Sequence, residues 1–166
     1  MLPAASHPPS PSSAMSQLDP SESGDRVVTQ AQMKRERLRF VDFKFSRTPQ
    51  GACNAEVELE WLDGARVKGK ATGTSSELGD LRCAAEAAID AIERFSVGVI
   101  ELELLGVKAL RAFDANIVIV SVEVKRGEGP RRLLGSFLAE QDPIRASVVA
   151  VLNATNRVLG NFIATR

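Results

Sequence analysis

Between Ala55 and Trp61 the chain alternates without a break, with Ala55, Val57, Leu59 and Trp61 on one side and Glu56, Glu58 and Glu60 on the other. A period of two describes a strand with one buried and one wetted face, and a helix cannot bury such a set. Asp63-Gly64 then supplies the turn chemistry of a two-residue hairpin. The returning segment carries Arg66, Lys68 and Lys70 at the same spacing, so bases are expected opposite acids on the solvated face. These sixteen or so residues, roughly three strand lengths of reading, commit the chain to antiparallel sheet.

The same period runs upstream from Leu38, where Val41, Phe43 and Phe45 are expected on one face and Asp42 and Lys44 on the other. Downstream the period changes. From about Asp80 to Phe95, Leu81, Ala84, Ala85, Ala88, Ile92 and Phe95 form one apolar helical stripe. The strand pattern then restarts with Ile100, Leu102 and Leu104 against Glu101 and Glu103, and continues past Gly106 toward Phe113. Asn116–Val124 follows, apolar on both sides at its start through Ile117, Val118, Ile119 and Val120. Lys125–Pro130 reads as a hairpin turn and Arg131–Leu138 as a third strand. Asp142-Pro143 opens a last helix that buries Val148, Val151, Leu152, Thr155 and Val158 and is expected to end at Gly160.

The two helices agree residue by residue. Setting Arg82 on Arg145 also sets Ala87 on Ala150, Ile89 on Leu152, Ala91 on Ala154 and Arg94 on Arg157. Each follows a glycine near the end of a three-strand run, Gly73 in one case and Gly135 in the other. The expected fold class is therefore α+β: a duplicated strand-strand-strand-helix unit, antiparallel sheets with one helix per unit. Unit one spans 38–96 and unit two 97–163. Residues 1–27, rich in Pro and Ser, are expected to be a disordered tail, and 28–37 a charged transition, with Met15 as an alternative start.

Lys plus Arg and Asp plus Glu both number 21, so no net field draws the chain to nucleic acid or to an anionic membrane. Double-stranded RNA binding, which shares the strand-strand-strand-helix order, is disfavoured on that ground. No apolar run reaches membrane-spanning length, and Met1–Ser16 has Pro at four places and no apolar core of a signal peptide. Cys53 and Cys83 lack metal or redox spacing and are expected as reduced, partly buried thiols of a cytoplasmic protein.

Catalytic machinery is hard to assemble from this inventory. The one histidine is His7, in the tail, and there is no tyrosine. No phosphate-binding glycine motif occurs, and Gly127-Glu128-Gly129-Pro130 reads as a turn. No enzyme activity, cofactor or metal is expected. What remains is a pair of loops that run into helix starts, with Gly73, Thr74, Ser75, Ser76 and Asp80 in the first and Gly135, Ser136 and Asp142 in the second. Free N–H groups and the positive end of a helix favour a carboxylate there; the competing reading is that Ser75, Ser76, Asp80 and Asp142 simply cap their helices.

The order of elements and the segment Asp142-Pro143-Ile144-Arg145-Ala146-Ser147 through Asn156 resemble the C-terminal regulatory (dimerisation) domain of 2-isopropylmalate synthase. That family opens its final helix with Asp-Ile-x-x-Ala-Ser and follows it with Ala-x-x-x-Asn. Asp142, Ile144, Ala146, Ser147, Ala150 and Asn153 or Asn156 are the counterparts here, with Pro143 adding one residue. The family's Gly-x-Gly-Pro loop is replaced by Gly73-Thr74-Ser75-Ser76, and the catalytic barrel is absent. The resemblance implies a regulatory module that binds an amino-acid end product, with Ala146 and Ser147 joining the site residues, and that pairs subunits. The expectation is a homodimer that senses a small carboxylate-bearing metabolite, dissociable by Ile119→Lys; the alternative is a structural domain that docks on a protein partner.

Overall fold

The computed structural model describes residues 38–61, 64–125 and 129–164. The tail over 1–27 and the transition over 28–37 lie outside them, as do Asp63 and residues 126–128 of the two expected turns. The order is β1 (Arg39–Arg47), β2 (Ala52–Glu60), β3 (Arg66–Thr74), α1 (Glu77–Phe95), β4 (Leu102–Ala112), β5 (Ala115–Val124), β6 (Arg131–Leu138) and α2 (Pro143–Ala164). Two antiparallel three-stranded sheets result, β1-β2-β3 and β4-β5-β6, each followed by one helix. The fold is a duplicated α+β unit.

In the first sheet Cys53, Ala55, Val57 and Leu59 of β2 turn inward and are buried. A side chain such as Leu59, wholly excluded from solvent, contributes about 1.5–3 kcal/mol by that burial. The opposite face carries the expected charge ladder: Glu60, Glu58 and Glu56 stand across from Arg66, Lys68 and Lys70. The ion pairs are mostly diagonal, with Arg66 at 3.1 Å from Glu58, Lys68 at 3.2 Å from Glu56 and Lys70 at 3.1 Å from Glu56. Half-exposed pairs of this kind give at most about 1 kcal/mol each, so the ladder matters more for register than for stability.

Two local readings are corrected. A bulge between Phe40 and Asp42 sets Phe40, not Val41, opposite Leu59, so Phe40, Phe43 and Phe45 share the core face. The β2–β3 loop holds three residues rather than two, because Trp61 donates its N–H to the Ala65 carbonyl at 2.8 Å. Gly64, at φ 81°, takes the left-handed position such a loop needs.

Helix α1 starts a turn earlier than expected. Ser76 caps it by accepting the Gly79 N–H at 2.9 Å. Its alanines 84, 85, 87, 88 and 91 are fully buried, because the helix lies against β2 and β3 on one side and against β4 and α2 on the other. The helix ends with Gly98 N–H donating to the Glu93 carbonyl at 3.0 Å and Val97 N–H to the Arg94 carbonyl at 3.2 Å. That pattern demands a left-handed residue, and here it is Val97, at φ 53°. The buried Ser96 hydroxyl accepts the Ile100 N–H at 3.1 Å and fixes the passage into the second unit.

In the second unit the first turn is a two-residue one that periodicity does not reveal: Ala112 pairs with Ala115, and Phe113 and Asp114 both have positive φ, 52° and 62°. Val118, Val120, Val122 and Val124 of β5 face the core. Helix α2 continues through Gly160 to Ala164; Gly160 is an interior residue and not the expected stop.

The duplication also needs one change of alignment. A Cβ on Gly69 would stand 2.2 Å from the Ala87 carbonyl oxygen and the Ala91 nitrogen, and one on Gly135 would stand 2.0 Å from the Ala150 oxygen and 2.6 Å from the Ala154 nitrogen. Each helix therefore crosses its third strand at a glycine, on the very alanine pairs that the two helices share. The counterpart of Gly135 is Gly69, not Gly73. Between the units the outer sheet faces have diverged: the first is charged, whereas the second presents half-buried Leu110, Ile117 and Ile119 beside exposed Leu134 and Leu138.

Candidate functional site

The two helix starts converge on one small cleft of about 120 Å³, lined by Arg47, Glu77, Asp80, Leu81, Ala109, Pro143 and Ile144. Asp80 is its buried anchor, 3% exposed. Its carboxylate accepts from Arg47 Nε at 2.8 Å and from the Ser75 hydroxyl at 3.1 Å, and Arg47 closes the pair with a second nitrogen at 2.7 Å. Burial pushes the Asp80 carboxyl upward, but the bonds from Arg47 and Ser75 outweigh it and hold the carboxyl below its ordinary range. Asp80 is thus a fixed anion that pins the end of β1 to the first turn of α1.

Both helix starts are occupied by the chain's own side chains. Ser76 fills one cap, and at the other Asp142 Oδ1 accepts the Ile144 and Arg145 N–H groups, each at 3.0 Å. The capping reading therefore holds for Ser76 and Asp142, and a ligand carboxylate finds those N–H groups already bonded. The remaining expected site residues scatter. Gly73 is half-buried in β3 and Thr74 ends that strand exposed. Gly135 is buried beneath α2, Ala146 is buried in the helix, and the Ser147 hydroxyl donates to the Ile144 carbonyl at 2.7 Å. Of the expected residues, Ser136, Asp142 and Ala146 meet on one larger concavity.

That concavity has a volume of about 1020 Å³ and lies between the β6 edge, the first turns of α2 and Phe40 of β1. Its apolar walls are Phe40, Phe137, Leu138 and Val149, and its polar groups are Ser136, Glu140, Gln141, Asp142 and Arg145. It opens because the pseudo-symmetry is broken: β4 packs along α1, whereas β1 makes no comparable packing along α2. The Arg145 guanidinium lies 5.0 Å from the Phe40 ring centroid, a cation–π distance. Arg145 has no ion-pair partner among the described residues. Sequence reasoning placed Arg145 in the helix alignment and within the resembling segment but not among the site residues, and it missed Phe40 and Phe137. The visible signal was that Arg145 sits off the apolar stripe in the first turn of its helix; the position of Phe40 depends on a bulge.

The cysteines are buried side by side. Cys83 donates to the Ala71 carbonyl at 3.4 Å, and burial followed by the contact with Cys53 pushes the Cys83 thiol up to about 12. Such a thiol stays protonated at neutral pH. Among the described residues no cluster of His, Cys, Asp and Glu could hold a metal ion, and no helix is long and apolar enough to cross a membrane. No protein-family model matches the chain, and no curated protein matches it either.

Proposed function

We propose that this protein is a non-catalytic regulatory module that binds a small carboxylate-bearing metabolite, an amino acid being the best chemical match, and works as a homodimer. The observation that carries this reading is the cleft of about 1020 Å³ in which Arg145, without an ion-pair partner among the described residues, shares the wall with carboxylate-bearing Glu140 and Asp142 and with Phe40, Phe137 and Val149. A zwitterion needs one cation for its carboxylate, one anion for its ammonium and an apolar wall for its side chain; Arg145, Glu140 and the two phenylalanines supply them. The resemblance to the synthase regulatory domain points to the same ligand class.

A thermal-shift screen of the amino acids and short aliphatic acids tests the reading. At about 100-fold excess over Kd a ligand adds about 2.7 kcal/mol, which moves the midpoint by several degrees. The shift is expected to vanish in Arg145→Ala, which keeps the unliganded midpoint. No stabilisation by any compound at millimolar concentration would count decisively against it.

One observation favours a second reading, a structural domain that docks on another protein: Leu134 is 71% and Leu138 51% exposed on the apolar outer face of the second sheet. In that case no metabolite stabilises the chain, and substitutions at Ile117 and Leu134 abolish capture of a protein partner.

A further inference from the structure

The two third strands are equivalent through Gly69 and Gly135, which sets Lys68 at Leu134, Lys70 at Ser136 and Thr72 at Leu138. Each forms a sheet edge with no further strand beside it among the described residues. The first edge is guarded. Lys68 and Lys70 stand on it, their ammonium groups paired with Glu56 and Glu58 on the sheet face, and Asp90 of α1 accepts the outward Lys70 N–H at 2.8 Å. Charges placed along an edge prevent another chain from adding a strand.

The second edge has lost that guard. Ala139 donates its N–H to the Asn116 carbonyl at 2.7 Å while Leu138 stands opposite Ile117, so the odd residues of β6 bond inward to β5. The N–H and C=O groups of Arg132, Leu134, Ser136 and Leu138 therefore point to the open edge. Asn153, which stands where Asp90 stands in the first unit, donates to the Ser136 carbonyl at 3.0 Å and leaves the Ser136 N–H unbonded by it. Beyond Arg131 and Arg132 the edge reads Leu133-Leu134-Gly135-Ser136-Phe137-Leu138, with no further charge, and that stretch invites pairing.

We propose that β6 pairs antiparallel with β6 of a second copy of this chain about a two-fold axis through Ser136, joining the two second-unit sheets into one six-stranded sheet. A two-fold axis normal to the sheet keeps like faces together, so even residues meet even residues. Centring on Ser136 sets Leu134 against the partner's Leu138 and Arg132 against the partner's Glu140, twice over. Moving the centre to Gly135 sets Arg132 against a leucine, and moving it to Phe137 sets Leu134 against a glutamate. Side-chain complementarity thus selects one register. The Ser136 carbonyl has a second lone pair for the partner's N–H beside Asn153. This seam rests on the dimeric half of the proposed function and is independent of the ligand.

The test grafts the first unit's guard onto the second edge. Wild-type protein is expected to run at twice the monomer mass in light scattering at high micromolar concentration, and Leu134→Lys with Leu138→Lys at the monomer mass. Both side chains are more than half exposed in one copy, so the midpoint of the monomeric fold should barely move. Ile119→Lys, which would dissociate a dimer built on the sheet face, lies one strand in from this seam and is expected to leave the edge-paired dimer intact. Hydrogen exchange adds a readout that does not depend on a variant: the outward amides of Leu134, Ser136 and Leu138 are slow in the dimer and fast on dilution. A monomeric wild type overturns both the seam and the dimeric half of the proposed function. A dimer that survives the double lysine variant, or that keeps those amides fast, overturns the seam alone. Dissociation by Ile119→Lys with the double variant still dimeric puts the interface on the sheet face.

Discussion

At the scale of single residues, Asp80 and Val97 show opposite economies. Asp80 is held as an anion by Arg47 and Ser75, so its folded carboxyl titrates below its unfolded value. A carboxylate lowered in this way adds stability above its unfolded range, about pH 4, and loses it as pH falls through the folded value. Asp80→Asn should cost about 2 kcal/mol at pH 7, the scale of hydrogen bonds to a charged group. Urea unfolding should show that difference shrinking toward pH 3. Val97 is the reverse, a β-branched residue in a left-handed conformation with its side chain 74% exposed. Val97→Gly removes that strain and loses little burial, so thermal unfolding should show a gain of about 1 kcal/mol. Ser76 and Asp142 were readable as caps because capping is local in sequence. The role of Asp80 was not, since Arg47 lies 33 residues away.

At the scale of elements, glycine separates what a pattern shows from what packing decides. Gly69→Ala and Gly135→Ala each force a methyl to within about 2 Å of helix backbone, and should destabilise by at least the 1–3 kcal/mol of ordinary overpacking, roughly. Gly160→Ala meets nothing within 4 Å in the interior of α2, and should stabilise by about 0.5–1 kcal/mol. Chemical denaturation of the three variants tests both signs at once. The strands, helices and duplication were legible because their periods repeat over many residues. The bulge at Phe40 and the Phe113-Asp114 turn were not, because one inserted residue or one unusual φ leaves no trace in a period. Choosing Gly69 over Gly73 required knowing where α1 crosses β3.

At the scale of the whole molecule, duplication let two copies of one unit take different surfaces around similar cores. Residues such as Glu58 and Lys68 announce the first unit's solvated face directly. The cleft was only partly legible: Ser136, Asp142 and Ala146 came from loop and resemblance, while Phe40 and Arg145 are brought together across more than a hundred positions of chain. Lys68 of the first sheet's ladder and Lys125, which follows β5 and pairs with Glu103 at 3.0 Å, titrate above the ordinary lysine range through Glu56 and Glu103 respectively. Their contribution is complete below that range and is lost as pH rises through the elevated values, so alkali should weaken the fold above about pH 10.4.

The paired thiols under α1 make the chain its own stopwatch. Cys53 and Cys83 are 0% and 1% exposed, between β2 and the helix that covers them. A soluble disulfide reagent therefore waits until α1 lifts, and once the helix lifts both sulfurs are uncovered together. Labelling should proceed in one kinetic phase, its rate levelling off with reagent concentration at the opening rate of the first unit. If the chain dimerises as proposed and that opening requires the dimer to part, the rate falls as protein concentration rises; if the first unit opens alone, it does not. Measured at a few protein concentrations, one colorimetric reaction reports whether the two halves of the duplication unfold as a single body.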